Sequence, residues 1–223
     1  MIAILQSYSS MLLGALGKTL LLTLLSLLFA MIIGMIFALM NVGRNRVLNC
    51  IGTIYVDAVR GVPLIVLAYF IYFGVPYCLN NMMGFNFTLT ALQAGTVCLA
   101  LNCGAYMAEI IRAGILSVDS GQMEAARSLG LPYSRAMIRV VLPQAIRTMI
   151  PSIINQFIIT LKDTSILSVI GFPELVNTAK NVVANSFMSF QTWGIVAVMY
   201  LIVITILSKV AKIVERRLNR GRK

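Results

Sequence analysis

Five polar side chains stand out in the apolar stretches of this 223-residue chain: Asn102, Gln156, Thr160, Lys162 and Asp163. Gln156, Thr160 and Asp163 follow one another at intervals of four and three residues, so a helix through them presents all three on one face. Two amides, a hydroxyl and a lone carboxylate do not assemble a nucleophile or an acid–base pair. They can line a polar path. An uncompensated polar side chain inside a membrane span is costly and marks a solute pathway. Asn102 and Gln156 can equally serve as hydrogen bonds between helices. Lys162 can reach outward on its long stem while Asp163 bonds locally. The chain has no His and no paired carboxylates within its apolar stretches, which removes most metal-centre and acid–base enzyme readings. Cys50, Cys78, Cys98 and Cys103 show no metal or redox spacing.

The elements that must position these residues are membrane spans. The chain is 59% hydrophobic and only 11% charged, with a mean hydropathy of +0.91. That composition belongs to a membrane protein. The net charge is +11, but the basic residues are clustered, so membrane lipid rather than nucleic acid is the expected surroundings. The first charge is Lys18 and no basic segment precedes it, so no cleavable signal peptide is expected. Gly14-Ala15-Leu16-Gly17-Lys18-Thr19 ends like a phosphate-binding loop, but Leu12 stands where that loop needs its first glycine. No nucleotide or other cofactor is therefore expected in this chain.

Five spans are expected, making an all-α integral membrane protein of one transmembrane domain over 1–223. The first runs from Thr19 to Gly43, preceded by 1–17 either as a surface helix or as a prefix. Each span must cross ~30 Å of hydrocarbon. In the first, Ser26, Ala30, Gly34 and Ala38 recur every four residues, a small-residue stripe that permits close helix packing. A loop with Arg44, Arg46, Asp57 and Arg60 follows. Spans two and three are expected at about Val62–Leu79 and Leu89–Ala108, divided by Asn80-Asn81-Met82-Met83-Gly84. The fourth begins near Arg147 and contains Pro151. Between Ser165 and Phe190 lies an outer-surface segment in which Pro173 and Glu174 open a short helix. The fifth is Gln191–Ser208.

Lys and Arg fix the orientation. Arg44, Arg46 and Arg60 lie in one loop, five arginines from Arg112 to Arg147 in another, and seven basic residues in the tail. Alternating five spans puts all three regions on one side. The excess of Lys and Arg marks that side as cytoplasmic, so the N-terminus is expected outside and the C-terminus inside.

The longest polar island, Asp119 to Pro143, then falls in the cytoplasm between spans three and four. Asp119 or Ser120 can cap a helix that carries Glu124 in its first turns. Gly130 supplies a left-handed terminator and Pro132 forbids continuation. A second short helix to about Val141 completes a helix–turn–helix elbow. The series Glu124-Ala125-Ala126, Gly130, Val140, Leu142-Pro143 resembles the signature cytoplasmic loop of the membrane subunits of ATP-binding-cassette importers, with Val140 in place of the usual Ile. Arg60-Gly61-Val62-Pro63-Leu64, Gly104 to Gly114 and Lys162-Asp163-Thr164-Ser165 resemble the polar-amino-acid uptake branch of that family.

The resemblance implies a permease subunit with a type I importer core at about 15–212, in a bacterial cytoplasmic membrane. It implies that the elbow is a coupling helix through Glu124, Ala125, Ala126, Gly130, Leu142 and Pro143. It further implies a second permease subunit, identical or paralogous. Two cytoplasmic ATPase subunits would hold ATP and Mg, and an external binding protein would deliver substrate. The chain itself would not be an enzyme. The pathway residues would be Asn102, Gln156, Thr160, Lys162 and Asp163. As Gln156 is neutral, the expected substrate is a polar or neutral zwitterionic amino acid. An ion-coupled secondary transporter or channel is the alternative. Such proteins often carry internal repeats, and none is visible here.

Overall fold

A computed structural model describes residues 2–43 and 45–219; Met1, Arg44, Arg220, Gly221, Arg222 and Lys223 lie outside them. Among the described residues all regular structure is helical. Five stretches are long and apolar enough to cross a membrane: Ile4–Val42, Leu64–Met83, Ala91–Leu116, Tyr133–Ile170 and Ser189–Arg216. The chain is thus a multi-pass membrane protein.

The first helix, α1 (Ile2–Val42), is 41 residues long and has no proline to interrupt it. At 1.5 Å per residue it extends about 60 Å. The leading segment is therefore a prefix to the span and not a separate surface helix. Its Ile4, Leu12 and Ala15 pack with Leu175, Ala179 and Val182 and with Ile195 and Val196.

The small-residue stripe lies on the buried side of α1: Ser26, Ala30 and Ala38 are fully buried. It faces α5 (Ala91–Leu116), which a capping box of Thr90 and Gln93 begins. A side chain at Gly34 would bring its Cβ within 2.5 Å of Met107 Cβ, and one at Gly104 within 2.8 Å of Ile33 Cγ2. Two glycines on facing helices let the backbones meet with nothing between them.

Where a loop is expected after α1, the chain instead forms α2 (Arg46–Gly61). Asn45 caps it, accepting from the Val47 N–H at 2.9 Å, and Asn49 Nδ2 donates to the Asn41 carbonyl at 2.8 Å. These bonds close the turn and send α2 back along α1. The Phe37 and Tyr55 rings stack with centroids 3.8 Å apart, and the Tyr55 hydroxyl donates to the Leu101 carbonyl at 2.8 Å. Arg60 lies near the end of the same helix and remains exposed. Pro63 then starts α3 (Leu64–Tyr69), which passes through Phe70–Gly74 into α4 (Val75–Met83).

Among the described residues the two wide turns, Phe70–Gly74 and Met137–Val141, each end two positions before a proline, Pro76 or Pro143. A proline has no N–H for the carbonyl four residues back and its ring crowds that carbonyl. A π-turn absorbs the misfit. The elbow pieces are α6 (Ser120–Ser128) and α7 (Tyr133–Ala136), and α7 continues through the second wide turn into α8 (Leu142–Asp163). The fourth span therefore begins well before Arg147. A tight turn, Thr164–Ile170, ends at Gly171 with φ 77°, and α9 (Leu175–Ser186) and α10 (Ser189–Asn219) complete the chain.

The helix ends sort into two groups. The start of α1 lies with α9 and the start of α10. The end of α1 lies with the ends of α2 and α5 nearest the elbow and with the start of α8, through Ala38, Val56, Ile111, Ile115, Val141, Ala145 and Met149.

Closeness at Gly34 is checked by substitution. Gly34→Val is expected to destabilise the protein by roughly 1–3 kcal/mol through overpacking. Gly14→Ala, where an added Cβ meets no atom within 4 Å, should be neutral or stabilising. Thermal unfolding in detergent reads both; equal effects would mean that the contact with α5 does not limit the size of residue 34.

Candidate functional site

Asn102 and Tyr106 on α5, Gln156, Ile159 and Asp163 on α8, and Arg60 to Leu64 at the α2–α3 break line one cavity of about 520 Å³. Asn102 and Gln156 are buried, at 8% and 6% exposure. They reach the cavity because α5 and α8 pack side by side. Asp163 is half-buried and Lys162 exposed. Adjacent residues point about 100° apart on a helix, so only Asp163 joins the cavity. Lys162 borders a different groove, beside Trp193 and Tyr200. Thr160 is 1% exposed and packs into the interior near the Cys103 thiol rather than lining the cavity.

The sequence reading did not single out Arg60 and Tyr106 as site residues. Arg60, expected in a loop, is instead carried by α2, with its guanidinium 5.1 Å from the centroid of the Tyr106 ring. That separation is within cation–π range. The signal available in the sequence was the helical spacing of apolar residues from Val47 to Val59, which the four charges at 44, 46, 57 and 60 obscured. Among the described residues the one salt bridge joins Arg112 to Glu109, at 2.6 Å. Arg60 and Asp163 therefore share a cavity without pairing with each other.

The elbow sits at the other end of α5. Asp119 caps α6, accepting from the Gly121 N–H at 2.6 Å. Gly130 has φ 85°, and the Leu131 N–H returns to the Ala126 carbonyl at 3.2 Å. That bond is the signature of a helix closed by a left-handed residue. Glu124 and Ala125 are exposed, while Ala126 is buried at 4%. Leu129, at 85% exposure, is the most prominent apolar side chain of the elbow and carried no role in the sequence reading. Met123 packs into the cluster of Ile111, Ile115, Val141 and Met149, and Gln144 Nε2 donates to Gln122 Oε1 at 3.4 Å. Leu142 and Pro143 open α8 directly beyond the wide turn. The elbow is thus bound to both helices that line the cavity.

Residues 30–221 match the family model described as "binding-protein-dependent transport system inner membrane component". The chain belongs to this family. The permease is 37% identical over 220 residues to the probable glutamine ABC transporter permease protein GlnM of Bacillus subtilis, covering 99% of both chains. It is 39% identical to the L-cystine transport system permease protein TcyB of the same organism, over 96% of this chain and 89% of that one. Against the glutamine transport system permease protein GlnP of Escherichia coli it is 35% identical, over 90% of each. A crystal structure of an amino acid ABC transporter with histidines superposes with a TM-score of 0.88 at 36% identity, covering 97% of each chain. The MetNI methionine ABC transporter, at 20% identity and a TM-score of 0.76, shares the fold. These relatives identify the chain as a permease of the polar-amino-acid ABC importer kind.

On the far side of the permease's cavity, Glu174 is fully buried and caps α9, accepting from the Val176 N–H at 2.7 Å and from the Asn177 N–H. The Tyr200 hydroxyl lies 3.5 Å from its Oε2, and Thr19 Oγ1 accepts from the Leu175 N–H. Burial pushes the carboxyl up to about 6, against the pull of the two N–H groups and of Lys180. A raised carboxyl favours folding in its protonated form. Its contribution is full below the unfolded value near 4.5 and is lost as pH rises through about 6. The amount is about 2 kcal/mol. Thermal unfolding of the wild type should therefore fall between pH 4.5 and 7 relative to Glu174→Gln, which keeps the cap but cannot titrate. Parallel pH profiles would contradict the assignment.

Proposed function

We propose that this chain forms the translocation pathway of an ATP-driven bacterial importer of a polar or neutral amino acid and couples that pathway to separate ATPase subunits. The observation that carries the reading is the unpaired Arg60 and Asp163 in one cavity with Asn102 and Gln156. Arg60 is exposed and Asp163 half-buried, and neither closes on the other, so both charges are open to a ligand in the cavity. A zwitterion satisfies both: Arg60 takes the α-carboxylate, Asp163 the ammonium, and the two amides hydrogen-bond a polar side chain. The cavity volume of about 520 Å³ is ample for an amino acid. Glutamine and cystine permeases among the relatives support the same substrate class.

The membrane is the bacterial inner membrane, with the elbow and the C-terminus cytoplasmic. A second permease, two ATPases and an external binding protein complete the machine. The ATPases hold ATP and Mg; this chain holds no cofactor. Binding of ATP favours the closed ATPase pair. The elbow, through Glu124, Ala125, Ala126 and Gly130 and the α8 start at Leu142 and Pro143, carries that closure into α5 and α8. This is a population shift driven by tighter binding to one state. Lys162 and Thr160 support the helices around the pathway rather than touching substrate.

Uptake into proteoliposomes of the assembled transporter tests the cavity. Gln156→Ala and Asp163→Asn should each lower uptake roughly 10- to 100-fold, the range for losing a hydrogen bond to a charged or polar ligand. Co-purification with the ATPase should be unchanged. Uptake at wild-type level in both variants, across candidate amino acids, would remove these residues from the pathway.

A further inference from the structure

A second polar cavity, of about 330 Å³, lies on the elbow side of Arg60. It is framed by the end of α1, the body of α2 and the last turns of α5. Asn41, Asn49, Asp57, Glu109 and Arg112 line it, and Arg60 lines both this cavity and the larger one. We propose that this cavity is a second, weaker station for the same zwitterionic amino acid, occupied on its way out towards the elbow side. The inference rests on the amino-acid reading above.

Three observations carry it. The first is placement. The cavity adjoins the apolar cluster of Ala38, Val56, Ala108 and Ile111, and it is open: Asp57 and Arg60 are exposed and Glu109 and Arg112 half-buried, so a solute can reach all four. The second is charge. Two carboxylates, Asp57 and Glu109, face two guanidiniums, Arg60 and Arg112. A balanced set suits a zwitterion; an anion such as phosphate would want an excess of Arg, and a metal cation an excess of carboxylate. Glu109 and Arg112 already hold each other, with bonds of 2.6 and 3.0 Å. Asp57 has no ion pair among the described residues, although it sits one helical turn from Arg60. The Asn41 side-chain oxygen is also buried and accepts no hydrogen bond. An ammonium at Asp57 and a carboxylate at Arg60 or Arg112 would complete the set.

The third is the shared arginine. Arg60 is the penultimate residue of α2, next to the extended break at Val62 and Pro63. Its head rests on the Tyr106 ring and is bound to no carboxylate. It can therefore keep hold of the substrate carboxylate while the ammonium leaves Asp163 for Asp57. Arg60 is the boundary between the two stations, and the Glu109–Arg112 pair closes the second one on the elbow side.

Stoichiometry of binding separates this inference from the reading beneath it. The nucleotide-free assembled transporter in nanodiscs is titrated with radiolabelled L-glutamine or L-cystine, whichever it takes up. Two sites per permease chain are expected. Asp57→Asn, which breaks no ion pair, should weaken one of them roughly tenfold. The double variant Glu109→Gln/Arg112→Gln should weaken the same one, and Gln156→Ala should affect only the other. One site per chain, sensitive to Gln156→Ala and indifferent to Asp57→Asn and the double variant, would overturn the second station and leave the amino-acid pathway standing. Two sites untouched by Gln156→Ala would overturn the larger cavity's role. Binding of neither amino acid would overturn both.

Discussion

The exposed guanidinium of Arg60 and the half-buried carboxylate of Asp163 line one cavity without pairing, and α2 and α8 hold them there. Here the helices hold the two apart. Arg60 is fixed by α2, whose turn is closed by Asn45 and Asn49 and whose Tyr55 is bonded to the α5 backbone. Asp163 is fixed at the end of α8, where the chain tightens into the turn that Gly171 ends. Both side chains therefore line the cavity without an ion pair between them.

The elbow is coupled to that site by packing and not by distance. Met123 of α6 shares a cluster with Ile111 and Ile115 of α5 and with Val141, Ala145 and Met149 around the start of α8. The elbow is thus packed against both helices that carry Asn102, Tyr106, Gln156 and Asp163. The wide turn at Met137–Val141, forced by Pro143, lies in this line. A turn already departing from α-helical bonding is a natural place for α8 to yield. In the opposite direction α1 is held rigid against α5 by the glycine contact at Gly34 and Gly104, so the framework on that side has no such give.

Much of this was legible in the sequence, for specific reasons. Five spans follow from length and hydropathy, and the elbow from Asp119, Gly130 and Pro132, each of which does in the structure what its backbone chemistry dictates. Gln156 and Asp163 meet in one cavity as their helical spacing implies, and Asn102 joins them from α5. Thr160 and Lys162 do not, since spacing alone cannot say which edge of a broad helical face meets a neighbour. Arg60 was the largest omission. Its charge argued for a loop, but α2 is amphipathic and turns back because two asparagines close the turn, a tertiary choice that no local pattern announces. Leu129 gives no signal in the sequence, because an exposed leucine means little until the helix beneath it is known to project.

The central claim is that a cytoplasmic ATPase drives the cavity through the elbow. It is tested most directly by the ATPase activity of the transporter reconstituted in lipid, with its binding protein added empty and then loaded with an amino acid. The account predicts that loaded binding protein stimulates hydrolysis and that Glu124→Ala abolishes the stimulation while the complex stays assembled. Full stimulation in the Glu124→Ala complex, or uptake that follows an ion gradient with no ATPase present, would contradict it.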